Sequence, residues 1–240
     1  IDNLSYKNKT FNNKEKAEIT KLIESIIQRK KIRNFYIENV SNDIKIISLS
    51  GFGYSGTGAI HDFLRDINTS IDVLEGRELD LFKYDFSLYT LYLKSFSNRK
   101  KISQKDLNKF FFSHFLGIPY PGGVSADEIN NRLVGSKSLL RAFLRLPEDK
   151  ERFNLIKDIC LFANQIYFLE FIKDKKSHIE IISKNMFKNI GKYYKKKYPK
   201  KKYIIINNWI TASNIKMINL LPSESKIIIC TRDALDAYYS

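Results

Sequence analysis

The feature that most constrains how this chain can fold is an apolar run that ends in glycines and leads into a helical pattern. Residues 44–49 are rich in isoleucine and predict a buried β-strand. The next segment, Ser50-Gly-Phe-Gly-Tyr-Ser-Gly-Thr-Gly-Ala59, holds four glycines and predicts a tight turn. Residues 59–65 then have helical spacing, and the apolar side of this helix carries Ile60, Phe63 and Leu64. A strand, a turn and a helix in this order predict one corner of an α/β sheet.

The rest of the chain continues this pattern, with strands near both ends and helices in the middle. Further strands are predicted at residues 71–74, 203–207 and 226–231. Helices are predicted at residues 14–32, 87–96, 105–116, 126–146, 148–173, 179–198 and 213–221, and another begins near Asp233. This pattern predicts that residues 1–240 form one α/β domain. The domain is expected to contain a parallel sheet flanked by helices, with a helical insertion at about 86–198. Ligands of such sheets bind at the carboxyl ends of strands, here the segments after Leu49 and Cys230.

The composition limits the classes of possible partner but does not identify one of them. A net charge of +15 favours anionic partners, which include nucleotides, sulfated or phosphorylated glycans, nucleic acid and anionic lipid. No apolar run approaches the ~20 residues that cross a bilayer, and no N-terminal stretch has a signal-peptide layout, although a leader could have been removed before Ile1. Cys160 and Cys230 are interpreted as small core residues in a reducing compartment, so a cytoplasmic location is expected.

The glycine-rich turn itself predicts an anion site. Its glycines allow the backbone to approach a ligand closely, and the N–H groups that open the next helix would face that ligand with the helix dipole behind them. Ser55 and Thr57 add hydroxyl donors, so the expected ligand is a phosphate or a sulfate. The alternative is a tight strand-to-helix connection with no ligand.

Two known phosphate-binding patterns fit this turn badly. The ATPase pattern ends in Gly-Lys-Ser/Thr, whereas Gly58 is followed by Ala59 and Ile60. A Gly-x-Gly-x-x-Gly match starts at Gly51, but no acidic residue after a second strand gives it the dinucleotide-binding context.

The end of the chain carries a second motif. A strand that ends in Arg232 is followed by Asp236 and Ser240, four and eight residues further on. This spacing resembles the sulfotransferase superfamily, in which the Arg and the Ser bind the 3′-phosphate of 3′-phosphoadenosine-5′-phosphosulfate (PAPS). A guanidinium and a hydroxyl are chemically suited to a phosphate. The family often has Pro where this chain has Ala234, and its fold continues beyond this point, so the C-terminal part of the domain is expected to be missing here.

The glycine-rich turn resembles the other hallmark of that family, a 5′-phosphosulfate loop that usually reads Lys or Arg followed by Ser-Gly-Thr. Ser55-Gly56-Thr57 matches, whereas Tyr54 stands in place of the basic residue. The resemblance implies that the cofactor contacts Gly53, Tyr54, Ser55, Gly56, Thr57, Gly58 and Ala59, together with Arg232 and Ser240. Because the family's basic residue stabilises charge on the bridging oxygen, another cation must take over or the chemistry is weakened.

A third, looser resemblance concerns the catalytic base. Glycan sulfotransferases have a Lys-Glu pair and an apolar-aromatic run after the second strand, and Arg77-Glu78 occupies the corresponding place. By this resemblance Glu78 is the base and Arg77 supports charge, with Glu75 and Asp80 as competitors. A solvated charged loop is an equally good interpretation of the same residues.

Together the two motifs imply in-line transfer of a sulfuryl group from PAPS to an acceptor hydroxyl or amine, with a carbohydrate as the favoured acceptor. No metal is required, and His61, His114 and His178 are interpreted as structural because they show no metal-ligand spacing. Phe110-Phe111-Phe112 is interpreted as core, although its helix could also line an acceptor pocket.

Two other classes of function stay open. One is a different P-loop-like nucleotide-binding enzyme, such as a kinase or nucleoside-triphosphatase relative. The other is a non-enzymatic basic module that binds anionic glycan, nucleic acid or membrane, although no nucleic-acid motif is present. The seven lysines within residues 192–202 are interpreted as a solvated helix end, or else as a peripheral contact with an anionic membrane or glycan.

Overall fold

A computed structural model of the chain describes residues 13–28, 45–51, 56–74, 79–82, 87–96, 101–117, 138–147, 149–210 and 212–231. The described residues form an α/β fold with one four-stranded parallel sheet flanked by helices. The strands are β1 (Lys45–Gly51), β2 (Ser70–Asp72), β3 (Tyr203–Asn207) and β4 (Lys226–Cys230). The predicted parallel sheet with flanking helices is therefore confirmed.

The described helices fill the sequence between the strands and precede β1. They are α1 (Asn13–Ile27), α2 (Thr57–Asp66), α3 (Leu88–Ser95), α4 (Gln104–Lys109), α5 (Leu139–Phe143), α6 (Lys150–Tyr167) and α7 (Lys175–Lys197). A π-helix (Phe110–Leu116) continues α4, and short 3₁₀ segments lie at Asp80–Phe82, Leu169–Phe171 and Ala212–Leu220. In the part of the chain that the structure describes, none of these helices has both the length and the apolar character needed to cross a bilayer.

The strand order across the sheet is β2-β3-β1-β4, so β1 is an inner strand with a neighbour on each side. Ile47 of β1 is paired with Ile205 of β3, and Gly51 at the end of β1 is paired with Cys230 at the end of β4. The isoleucine-rich strands suit this position because β-branched side chains pack well on a pleated surface that is covered on both sides.

The two faces of the sheet are covered by different layers. Ile46, Ile204 and Ile206 join the large hydrophobic core formed with the helices, whereas Leu49 and Ile205 are buried on the opposite face, where α2 packs. The topology explains this division. The β1-to-β2 and β3-to-β4 connections run in opposite directions, and right-handed crossovers in opposite directions cover opposite faces.

An aromatic series links the helical core to the carboxyl edge of the sheet. Phe82 stacks on Phe187 of α7 at 5.9 Å, and Phe187 lies 6.0 Å from Trp209, which follows β3 and is fully buried. Phe110 and Phe111 of the π-helix are also buried, so their interpretation as core residues is confirmed. The carboxyl edge thus rests on a rigid, densely packed layer.

Three sequence expectations need correction. Phe63 was expected on the inner side of α2, but it is 67% exposed, and the buried positions of that helix are Thr57 and His61. The predicted strand at residues 71–74 ends at Asp72, because Leu74 adopts a positive φ of 61°. The helix predicted at residues 105–116 changes to π-helical winding from Phe110, although it stops before Gly117 as predicted.

One helix start in the core layer depends on a charged side chain. Asp106 forms a capping box with Ser103 at the start of α4, and its carboxylate also accepts a 2.7 Å bond from Lys94 Nζ. Burial raises the pKa of Asp106, but the bonds from Lys94 and Ser103 outweigh it and hold the pKa below its ordinary value. The charged form therefore stabilises the fold at neutral pH.

We expect Asp106→Asn to lower the free energy of unfolding by about 1–2 kcal/mol at pH 7, since a charge-assisted pair becomes a neutral bond. A carboxylate with a lowered pKa contributes above its unfolded pKa of about 3.9 and loses that contribution as the pH falls, so the variant and the wild type should converge towards pH 3. Urea unfolding at both pH values tests this. Asp174→Asn, at the exposed start of α7, is the control with a smaller effect, and a difference that does not change with pH would contradict the prediction.

Candidate functional site

The first component of the candidate site is the start of α2. Gly56 precedes the helix with a left-handed φ of 81° and offers no side-chain cap. The first backbone bond within the helix runs from the Ile60 N–H to the Gly56 carbonyl at 3.2 Å. The N–H groups before Ile60 have no acceptor within the helix, and the positive end of the helix dipole lies there. This end of α2 can therefore attract an anion.

The described residues leave space around this helix start. A Cβ atom built on Gly56 or Gly58 would meet none of them within 4 Å. Gly58 and Ala59 are exposed, whereas Thr57 is only 7% exposed and packs inward. A ligand can approach the backbone at these glycines, and the Thr57 hydroxyl is a less accessible donor than the sequence predicted.

The second component is the end of β4, which lies beside the end of β1. Gly51 and Cys230 are register partners, so the glycine-rich turn and the segment that begins at Arg232 leave two adjacent, parallel strands at the same edge. Neighbouring strands are about 4.8 Å apart. Cys230 is buried and Thr231 is exposed, so the chain reaches the surface at this point.

Asn208 holds the end of β1 from the other side, and the sequence analysis missed it. Its Oδ1 accepts a bond from the Gly51 N–H at 3.3 Å, and its own N–H donates to the Leu49 carbonyl at 2.9 Å. Asn208 has a φ of 52°, a left-handed conformation that Asn tolerates better than most residues. The signal in the sequence was the polar pair Asn207-Asn208 directly after an isoleucine run. The strand end that precedes the glycine-rich turn is therefore fixed on both sides.

The structure describes four of the predicted site residues, Gly56, Thr57, Gly58 and Ala59, and they follow one another at the start of α2. The other predicted site residues lie outside the described residues; they are Gly53, Tyr54, Ser55, Arg77, Glu78, Arg232 and Ser240. The competitor Glu75 also lies outside, whereas Asp80 begins the 3₁₀ turn at Asp80–Phe82. The roles assigned to these side chains stay predictions.

Buried charge lies beneath the start of α2. His61 Nε2 is 3.0 Å from Asp72 Oδ2, His61 Nδ1 is 3.5 Å from Asp62 Oδ1, and the His61 and Asp72 side chains are 7% and 6% exposed. The structural interpretation of His61 agrees with this burial. Since two carboxylates face one imidazole, the group supplies no net positive charge to replace the basic residue absent at Tyr54. Among the described residues, no cluster of His, Cys, Asp or Glu could hold a metal ion.

The last residue of the lysine run lies at the amino ends of the strands, opposite the carboxyl ends that lead to the start of α2. The Lys45 N–H donates to the Lys202 carbonyl at 3.0 Å, which places Lys202 beside the first residue of β1. Lys196 pairs with Glu151, and Lys197 with Asp149. A five-residue strand is about 17 Å long, so Lys202 and the helix start are separated by about the length of a strand.

Comparison with known proteins adds no template for this arrangement. No protein-family model, no curated protein and no solved structure matches the chain. Any function must therefore be argued from the residues and geometry of this molecule.

Proposed function

We propose that the chain is a PAPS-dependent sulfotransferase with a P-loop-like fold, which moves a sulfuryl group to an acceptor hydroxyl, in our reading on a carbohydrate. The observation that carries the proposal is the register between Gly51 and Cys230. It brings the ends of two strands, far apart in the sequence and each followed by one of the predicted motifs, to neighbouring positions at the carboxyl end of one sheet. That end is where α/β sheets bind ligands.

In the proposed complex the two motifs hold opposite ends of one nucleotide. The backbone of Gly53 to Ala59 binds the 5′-phosphosulfate, aided by the positive end of the α2 dipole. Arg232 and Ser240 bind the 3′-phosphate, which distinguishes PAPS from ATP. The exposed Gly58 and the open space around Gly56 fit this role, because a phosphate must come close to the backbone.

The proposed reaction is an in-line displacement at sulfur. The acceptor oxygen forms a bond to the sulfur as the bond to the 5′-phosphate oxygen breaks, and 3′,5′-adenosine bisphosphate leaves. Glu78 takes the acceptor proton and Arg77 supports charge, with Glu75 and Asp80 as alternative bases. PAPS supplies the activated sulfuryl group, and the protein contributes positioning and electrostatics. Tyr54 can donate a hydrogen bond to the bridging oxygen but no charge.

Calorimetric titration of the wild-type chain with three nucleotides tests the proposal. We expect 3′,5′-adenosine bisphosphate to bind at least about tenfold more tightly than ATP or adenosine 5′-monophosphate, because only it carries the 3′-phosphate; a tenfold ratio corresponds to about 1.4 kcal/mol. Preference for ATP would favour the kinase or nucleoside-triphosphatase alternative. Absence of binding by all three would contradict a nucleotide site.

The lysine run suggests a second contact, separate from the nucleotide site, in a protein that we expect to be cytoplasmic. We propose that residues 192–202 make peripheral contact with an anionic membrane or glycan, because the run holds seven lysines and its last residue, Lys202, lies beside the first residue of β1, away from the start of α2. Sedimentation with phosphatidylserine vesicles tests the membrane version. Binding that persists after Lys200, Lys201 and Lys202 are changed to Gln would count against it.

A further inference from the structure

A pocket opens beside β2, between the last turns of α7 and the segment that follows α5. Its volume is about 100 Å³. Since a water-sized group needs roughly 10–15 Å³ of such space, the pocket admits a molecule of about seven to ten heavy atoms. The described residues that line it include none of those assigned to the nucleotide site, so a ligand here would be separate from the proposed cofactor.

The inner end of the pocket is polar and buried. Tyr194 is 4% exposed, and its hydroxyl accepts a bond from the Leu74 N–H at 3.3 Å. Burial raises the pKa of Tyr194, so the hydroxyl keeps its proton at neutral pH and can donate it to a ligand. The Asp72 carboxylate also lines the pocket, with a side chain that is 6% exposed. Because polar groups in a buried wall need hydrogen-bonding partners, a ligand that reaches this end should carry a hydroxyl.

The outer end of the pocket is positively charged. The Lys197 ammonium donates to Asp149 Oδ2 and to the Tyr193 hydroxyl, both at 3.2 Å. An ammonium has three donors, so Lys197 can also bind an anion. Arg145 lines the same pocket, is exposed, and adds a second cation. A ligand carboxylate is favoured here and disfavoured beside the buried Asp72, which fixes the direction in which such a ligand would enter.

The remaining wall is suited to a flat ring. Tyr198 stacks on Tyr194 at 6.4 Å with 17° between the ring planes. Ala142, Leu146 and Pro147 add apolar surface from α5 and the segment that follows it. Aromatic and apolar side chains bind the body of a small ligand, whereas a few polar groups orient it.

We propose that this pocket binds a small ring compound that carries a carboxylate at one end and a hydroxyl at the other. The carboxylate pairs with Lys197 and Arg145, and the ring packs against Tyr198. The hydroxyl accepts the proton of Tyr194. The compound para-hydroxybenzoate has this layout and about ten heavy atoms, which matches the space in the pocket.

Amide chemical-shift titration of the chain with para-hydroxybenzoate tests the proposal. We expect a Kd on the order of 1 mM, which is ordinary for so small a ligand, and shifts centred on residues 142–147 and 193–198. The neutral analogue para-hydroxybenzamide should bind about three- to fivefold more weakly, because its partners are partly solvated cations. Equal binding of this analogue, or no binding at concentrations on the order of 10 mM, would overturn the proposal.

A pair of neighbouring lysines provides matched variants for the charged end. Lys197→Gln should weaken the binding of para-hydroxybenzoate by about three- to fivefold and leave that of para-hydroxybenzamide unchanged. Lys196→Gln is the control, because Lys196 also pairs with a carboxylate, that of Glu151, but its side chain is 64% exposed and lies outside the pocket lining. The same loss of affinity in both variants would show a general effect of surface charge and contradict the proposal.

Tyr194→Phe tests the hydroxyl end by a ratio measured within one protein. The wild type should bind para-hydroxybenzoate about three- to fivefold more tightly than benzoate, which leaves the buried hydroxyl of Tyr194 without a ligand partner. Tyr194→Phe should remove this preference and bind benzoate within about twofold of the wild type. A preference that survives in Tyr194→Phe would overturn the proposed ligand class. None of these results depends on nucleotide binding, so the pocket and the proposed function can fail separately.

Discussion

Arg232→Ala is expected to weaken the binding of 3′,5′-adenosine bisphosphate by at least about 100-fold, or about 3 kcal/mol. A guanidinium donates two parallel, charge-assisted bonds to a phosphate, and each such bond contributes about 1.5–3 kcal/mol. The strand that leads to Arg232 ends beside the end of β1, since Cys230 and Gly51 are register partners. Alanine leaves the 3′-phosphate at this edge without that partner.

Calorimetry with matched variants and ligands isolates this effect. Arg65→Ala is the control variant, because Arg65 is 53% exposed, lies near the far end of α2 and pairs with Asp62 at 3.2 Å. It should bind like the wild type. Adenosine 5′-monophosphate is the control ligand, and its weaker binding should not change in Arg232→Ala because it has no 3′-phosphate. Equal binding of the bisphosphate by wild type and Arg232→Ala would remove Arg232 from the site.

The sheet could be predicted from the sequence because its strands are short isoleucine runs that end abruptly. Residues 203–207 and 226–230 were located almost to the residue, since each is a continuous isoleucine-rich run that flanking polar residues end. Helical periodicity predicted less well than the isoleucine runs did, because it did not identify which side of α2 faces the sheet. Phe63 faces outward on α2 because polar residues, Thr57 and His61, occupy the sheet side of that helix. A hydrophobicity pattern cannot anticipate a buried contact between His61 and Asp72.

For the candidate site, too, the sequence predicted the local features but not the long-range contacts. The start of α2 was predicted because glycines in a turn and the N–H groups that open a helix are local properties of the sequence. The contact of Asn208 with Gly51 joins residues 157 positions apart, and that of Tyr194 with Leu74 joins residues 120 positions apart. Such contacts depend on the strand order, which the sequence does not specify. The sequence therefore predicts which segments would carry the proposed chemistry, and the fold shows what holds the ends of β1 and β2 in place.

Gly58→Ala is expected to separate ligand binding from stability. Gly58 lies in the first turn of α2 with ordinary helical geometry, and an added Cβ would meet no atom of the part of the chain that the structure describes within 4 Å. Since Ala favours helices over Gly by up to about 1 kcal/mol, the free energy of unfolding should stay the same or rise. The added methyl group tilts towards the helix N-terminus, where the proposed 5′-phosphosulfate lies. Steric conflict of about 1–3 kcal/mol should weaken nucleotide binding by about tenfold or more.

Gly56→Ala is the matched variant, and we expect it to lower the free energy of unfolding, whereas Gly58→Ala should not. Its φ of 81° is costly for an L-residue, so the free energy of unfolding should fall by about 1 kcal/mol although the site has room for a methyl group. Thermal unfolding and calorimetry with 3′,5′-adenosine bisphosphate measure both quantities on the same samples. If Gly58→Ala were stable and bound the nucleotide as tightly as the wild type, the phosphosulfate could not lie against the first turn of α2. Loss of affinity in a variant that is at least as stable would point to a ligand against this turn, because the added Cβ meets none of the described residues within 4 Å.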